Sequence, residues 1–206
     1  MIPNAEIEKN QKPPLMRKKF RTDEVYQMMK AGILPEESGW ELIDGEIIQR
    51  MTIGSKHASV VRKLEKYLER NFGDFVMISG QNPIHIDEYN EPEPDIALLT
   101  PRDDFYAERH PETHEVLLVI EVSDSTLEFD RETKKTLYAE AGIKEFWLVN
   151  LKQETVETYS DPANGAYYQM RIFGRDETVN SKNIENLSVE TNVILGEQSA
   201  DSSLEN

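Results

Sequence analysis

Three residues of this chain are of types that could share one piece of chemistry. Glu121 stands near the end of Val116-Leu-Leu-Val-Ile-Glu-Val-Ser123, an otherwise aliphatic run. Such a run reads as a strand buried on both faces. A lone ionised carboxylate there is costly unless a cation or a donor meets it. Asp95 opens a second apolar run, Asp95-Ile-Ala-Leu-Leu99, just after Glu93-Pro94. Lys134 lies downstream on a segment with helical spacing. Two acids on neighbouring strands plus a lysine form the minimum set for metal-assisted hydrolysis of a phosphodiester.

Each of the three also has a plainer reading. Asp95 could cap a loop, Glu121 could be half of a structural salt bridge, and Lys134 could face solvent. Their chemistry favours company. Mg2+ takes hard oxygen ligands and keeps several waters, so two carboxylates and one backbone carbonyl suffice, and the carbonyl of Val122 adjoins Glu121. A metal so held polarises a scissile phosphate, and a lysine nearby orients the attacking water or stabilises developing charge. His110 and His114 share the spacing of a zinc pair, but Pro111 and the lack of a clear third ligand argue against zinc.

These residues need a scaffold, and the totals bound it. A chain of 206 residues is one domain with ragged ends by expectation. With 38% hydrophobic residues it can bury a sizeable core, and having no cysteine it has neither disulfides nor thiolate metal sites. No apolar run reaches membrane-spanning length, which makes a cytoplasmic protein with no membrane partner the default. The net charge of −16 cuts against a tight non-specific DNA binder, unless positive charge is segregated into a patch.

The elements follow in order. Residues 1–21 are polar and basic and read as a flexible arm, residues 22–195 as the folded domain, and residues 196–206 as a disordered acidic tail. Thr22 is the expected N-cap of a short helix stopped by Gly32. Trp40–Met51 reads as a hairpin through Asp44-Gly45. Residues 55–72 carry an amphipathic stripe ending at Gly73. Short strands are expected at 75–79 and 83–86, then at 95–99 and 116–123. Asp130 is the expected N-cap of a helix ending at Gly142, followed by a strand at 145–150. Two further strands, 155–159 and 167–173, flank a turn at 161–165. The pair around residues 116–122 and 145–149, joined by a helix, forms a βαβ unit and should be parallel. The expected class is α/β with a mixed central sheet.

Pro94-Asp95 followed by Glu121-Val122-Ser123 resembles the PD-(D/E)xK signature of restriction-endonuclease-like nucleases, and the element order resembles that fold's αβββαβ core. More closely, Asp44-Gly45-Glu46, His57, Pro94-Asp95, Glu121-Val-Ser-Asp-Ser125, Asp130…Lys134…Tyr138-Ala-Glu-Ala-Gly142 and Glu145-Phe-Trp147 resemble the Uma-two family of restriction endonucleases over roughly residues 22 to 175. The resemblance implies that core with an N-terminal helix and hairpin and additional C-terminal strands. It implies a Mg2+-dependent endonuclease, Mn2+ substituting, acting on DNA as a homodimer. Asp95, Glu121 and Lys134 would then be the catalytic set, with Asp95, Glu121 and the Val122 carbonyl on the metal and Glu46, His57, Ser123 and Tyr138 around them. One position departs. Ser123 stands where the signature has lysine, and the family's pattern puts that lysine on the next helix, at Lys134. The rival expectation is a catalytically silent member of the fold that binds nucleic acid or protein.

Overall fold

The computed structural model describes residues 17–35, 39–49 and 54–196. The flexible arm expected over 1–21 lies outside the described residues up to 16, as does the tail from 197. The final residues of that arm are held: the Phe20 N–H donates to the Gly45 carbonyl at 2.9 Å, and Lys19 pairs with Asp44.

The centre is a six-stranded sheet in the order β3 (Met77–Gly80), β4 (Ile96–Leu99), β5 (Val116–Ser123), β6 (Glu145–Asn150), β7 (Thr155–Ala163), β8 (Ala166–Phe173). All neighbours are antiparallel except β5 and β6, which run parallel as a βαβ connection requires. The expectations for β5 and β6 match residue for residue. Their continuous aliphatic pattern has its cause in layers on both faces. On one face lie Val60, Leu64 and Leu68 of α2 (Ser55–Phe72), packed against Leu98, Ile120 and Trp147. On the other, Tyr138, Phe146, Leu148 and Tyr159 pack with Ala97 and Val119.

The connection between β5 and β6 is less regular than expected. A short turn of helix, α3 (Leu127–Phe129), runs into a π-helical turn over Asp130–Lys134, and only then into α4 (Lys135–Glu140). The N-cap position belongs to Thr126, not Asp130. Asp130 is instead inside the helix and buried, accepting hydrogen bonds from the hydroxyls of Ser123 at 2.7 Å and Thr126 at 2.6 Å. Both hydroxyls reach its Oδ2, which ties the side chain back to the residues before the helix instead of to the free amides of a helix start.

Other boundaries also move. α1 (Thr22–Lys30) has Arg21 at its N-cap, and Glu24 accepts the Arg21 N–H at 2.9 Å, so Thr22 is the first helical residue. The strand expected at 75–79 begins only at Met77, and 83–86 forms no strand, merely a bridge from His85 to Glu112. β7 runs on to Ala163, so the turn at 161–165 shrinks to Asn164-Gly165, both at positive φ. After β8, β9 (Thr178–Asn180) pairs with β10 (Ser188–Glu190), and α5 (Thr191–Leu195) follows. Val179, Val189 and Ile194 complete the layer beside α2.

The hairpin of β1 (Trp40–Ile43) and β2 (Glu46–Gln49) forms as expected. Asp44 and Gly45 have φ of 49° and 72°, the two left-handed positions of a type I′ turn. It is a separate two-stranded sheet, fastened to the loop before β4 by reciprocal backbone bonds between Leu42 and Glu91. Among the described residues no helix is long and apolar enough to cross a membrane.

Candidate active site

β4 and β5 pair antiparallel with Ile96 opposite Ile120, so Asp95 and Glu121 continue the ladder one step beyond. Opposed residues of an antiparallel pair share a face, and that register brings the two acids together. The Asp95 N–H donates to Glu121 Oε2 at 3.3 Å, and the Val122 N–H donates to Asp95 Oδ2 at 2.9 Å. Both side chains are buried, at 2% exposure each. Each backbone thus helps to fix the other strand's acid.

Lys134 arrives from the π turn. Its Nζ donates to Glu121 Oε1 at 3.0 Å and to Glu41 of β1, whose two oxygens lie 3.0 and 2.9 Å away. One helical turn later, the Tyr138 hydroxyl donates to the same Glu121 Oε1 at 2.8 Å, while its ring packs on Phe146 at 5.5 Å. Asp130, Lys134 and Tyr138 recur at four-residue spacing and are all buried. A π turn is a frequent mark of functional sites because it re-aims side chains within a helix.

His57, in the first turn of α2, places Nε2 3.0 Å from Asp95 Oδ2. Its Nδ1 is buried and has no hydrogen-bond partner among the described residues. In a neutral imidazole that gives its Nε2 proton to Asp95, Nδ1 is an acceptor.

Around these groups lies a cavity of about 270 Å³ whose lining includes Glu41, His57, Asp95, Glu121, Val122 and Lys134. Burial pushes the Glu121 carboxyl up to about 8; Lys134 opposes this, and Asp95, Asp130 and Glu41 add to it. Burial would lower the Lys134 ammonium, but Glu121, Glu41 and Asp130 outweigh it and hold it above the usual range. Burial, then Glu121 and Glu41, raise the Tyr138 hydroxyl well above its ordinary value. All three directions have one origin. Several acids crowd a single ammonium in a dry place, so the neighbourhood favours protons or other cations.

The donor set fits a hard divalent ion in chemical type: two opposed carboxylates with Val122 beside them, all oxygen donors. Among the described residues no group of three or more His, Asp or Glu side chains forms a ready metal cage. The smaller set matches an ion that retains much of its water.

Of the residues singled out in the sequence, Asp95, Glu121, Val122, Lys134, His57 and Tyr138 are thus gathered into one network. Glu46 is not. It is exposed on the far strand of the hairpin, 3.9 Å from Arg17. Ser123 is buried with its hydroxyl on Asp130, behind the acids rather than among them. Glu41 went unnoticed in the sequence, although it is the second partner of Lys134. Its one signal was an acid set between Trp40 and Leu42 in a strand where Leu42 and Ile43 are also buried. His110 and His114 belong elsewhere: His110 stacks on Tyr26 and His114 approaches Glu112 at 3.6 Å.

A mixed sheet covered on both faces, with opposed acids at the edge of its β4–β5 pair, defines an α/β protein of the restriction-endonuclease-like fold. The chain belongs to the Uma2 family, described as "Putative restriction endonuclease", whose model matches residues 23–193. Among solved structures it is similar to a chain described as a "putative nuclease belonging to DUF820" from Anabaena variabilis ATCC 29413. The TM-score is 0.65 at 19% identity, over 85% of this chain and 97% of that one, a likeness of fold. No curated protein matches the chain.

Proposed function

We propose that this protein is a divalent-metal-dependent endonuclease that hydrolyses phosphodiester bonds in DNA, with Mg2+ as its ion and Mn2+ able to substitute. The observation that carries the reading is the convergence of Asp95 and Glu121 from opposed ladder positions onto one cavity with a buried lysine. Asp95 and Glu121 hold the ion, and the Val122 carbonyl is the third protein ligand. Bound there, the ion supplies Lewis-acid polarisation of the phosphate and a more acidic water.

The chain's own residues do the rest. Lys134 has three N–H bonds; among the described residues Glu41 and Glu121 take two, and the third can serve a water or a phosphate oxygen. Tyr138 and Lys134 together fix Glu121 Oε1, and His57 and the Val122 amide fix Asp95 Oδ2, so neither acid can swing away from the cavity. The lysine absent at position 123 is replaced from the helix, because a long aliphatic stem lets an ammonium reach past its own backbone. We extend the reading to a homodimer in the cytoplasm in which each copy cuts one strand.

The rival reading, a silent relative that only binds, draws on Ser123. Its hydroxyl is committed to Asp130 and brings no positive charge to the acids. Calorimetric titration with Mn2+ and nicking of supercoiled plasmid separate the two. An active nuclease binds Mn2+, loses that binding in Asp95→Asn, and nicks plasmid unless Glu121 is replaced by Gln. A folded protein that neither binds Mn2+ nor nicks plasmid is the silent relative.

A further inference from the structure

The acidic total leaves open where a polyanion could touch this chain, with 39 acidic residues against 23 basic ones. Helix α2 reverses that balance, carrying five lysines and arginines against two glutamates. Its apolar residues Val61, Leu64 and Leu68 turn inward. Arg62, Lys66 and Arg70 recur every four residues on the opposite side with Lys63 beside them, and all four are exposed. A row at that spacing is nearly straight along a helix and spans about 12 Å from Arg62 to Arg70.

These cations are also unspent. None of the four makes an ion pair among the described residues; Arg62 acts on Glu65 only at longer range. Elsewhere arginines are consumed within the fold: Arg102 and Arg109 hold Glu115, Arg131 holds Glu157, and Arg175 holds Glu154. The row is also well placed. α2 begins at the cavity, with Gly54 and His57 in the lining, so Arg62 and Arg70 lie about 8 and 20 Å along the axis from His57.

We infer that the outer face of α2 is the docking surface for the phosphate backbone of duplex DNA, holding the duplex while the adjoining stretch enters the cavity. The inference rests on the proposed action on DNA and assigns the surface that engages it. Charge complementarity selects the occupant. A row of exposed, unpaired cations is neutralised by a regularly spaced polyanion, and counterion release makes such contacts strongly salt-dependent.

The test is fluorescence anisotropy of a short labelled duplex titrated with the full chain in EDTA, where binding is read without cleavage. The variant Arg62→Glu/Lys66→Glu/Arg70→Glu is compared with Lys144→Glu/Lys152→Glu/Lys182→Glu, an equal charge change at exposed sites off α2. The α2 variant should bind at least tenfold more weakly, and its plot of log affinity against log salt should be shallower by about 2.7, as expected for three lost phosphate contacts. The control should keep the wild-type slope. Equal weakening in both variants, unchanged binding in the α2 variant, or no binding by the wild type overturns the inference. So does a labelled RNA duplex held more tightly than DNA through the same row. Plasmid nicking is measured in parallel. A wild type that binds through α2 yet never nicks sinks the nuclease reading and leaves the docking surface standing.

Discussion

Lys134 and Glu41, separated by 93 residues, form a buried ion pair in which one ammonium lies within 3.0 Å of both oxygens of one carboxylate. The same ammonium holds Glu121 at 3.0 Å. The hairpin, which contributes no strand to the central sheet, is thereby tied to the site's lysine.

Removing that ammonium should be expensive. Lys134→Met leaves the Glu41 and Glu121 carboxylates without the charge between them, and breaking a buried pair this way costs about 3–5 kcal/mol. Urea unfolding at neutral pH should show that loss, and any folded fraction should lack nicking activity. Glu41→Gln should cost less, about 1–3 kcal/mol, since Lys134 keeps Glu121.

Tyr138 separates packing from hydrogen bonding. Tyr138→Phe keeps the ring against Phe146 and removes only the hydroxyl on Glu121 Oε1, for a loss of about 1–2 kcal/mol. Nicking should fall while Mn2+ still binds, because Glu121 remains but is less firmly oriented. An unchanged nicking rate would show that Tyr138 serves stability alone.

Acid stability should depend on a site remote from the chemistry. The Arg109 guanidinium hydrogen-bonds the Glu115 carboxyl; burial opposes its effect, and the Glu112 amide and Arg102 reinforce it, so Glu115 is held down to about 2. A carboxyl depressed in the folded state stabilises the protein above its ordinary range near 4.5, and that contribution fades as the pH falls toward 2. Glu115→Gln should lower the Tm at neutral pH and flatten its decline between those two values. Thermal melts across the range give the answer.

The hairpin turn offers a backbone test. Gly45 has φ of +72°, and a Cβ added there would stand 2.6 Å from the Lys19 Cβ. Gly45→Ala should therefore cost about 1–3 kcal/mol, more than Gly32→Ala, where φ is +71° but nothing lies within 4 Å. Equal losses at the two positions would mean that Lys19 yields and only the dihedral matters.

What was legible in the sequence was local. β5 and β6 announced themselves because strands covered on both faces admit few charges, and the Asp44-Gly45 turn because its dihedrals restrict the residue types. The acids Asp95 and Glu121 stood out for the same reason, each an exception in an apolar run. Glu41 could not be read this way, since its meaning lies in a partner 93 positions later. Asp130 was misplaced because an acid before a helical pattern is the ordinary sign of a helix start. Nothing in Asp130-Arg-Glu-Thr-Lys134 marks the wider turn that draws it inside. β9, β10 and α5 are three to five residues each and take shape only against the sheet they cover.

That wider turn bears on how the chain tolerates changes of length. A π turn contains one residue more than an α turn, so a deletion within 130–134 restores ordinary winding instead of breaking the helix. The helix would persist and its flanks would keep nearly the same faces, since about five residues of the wide turn and about four of an ordinary one each make a little over one revolution. A one-residue gap between Asp130 and Lys134 would leave Asp130, Lys134 and Tyr138 still facing inward. Relatives one residue shorter at this turn are therefore expected to keep the site as well as the scaffold.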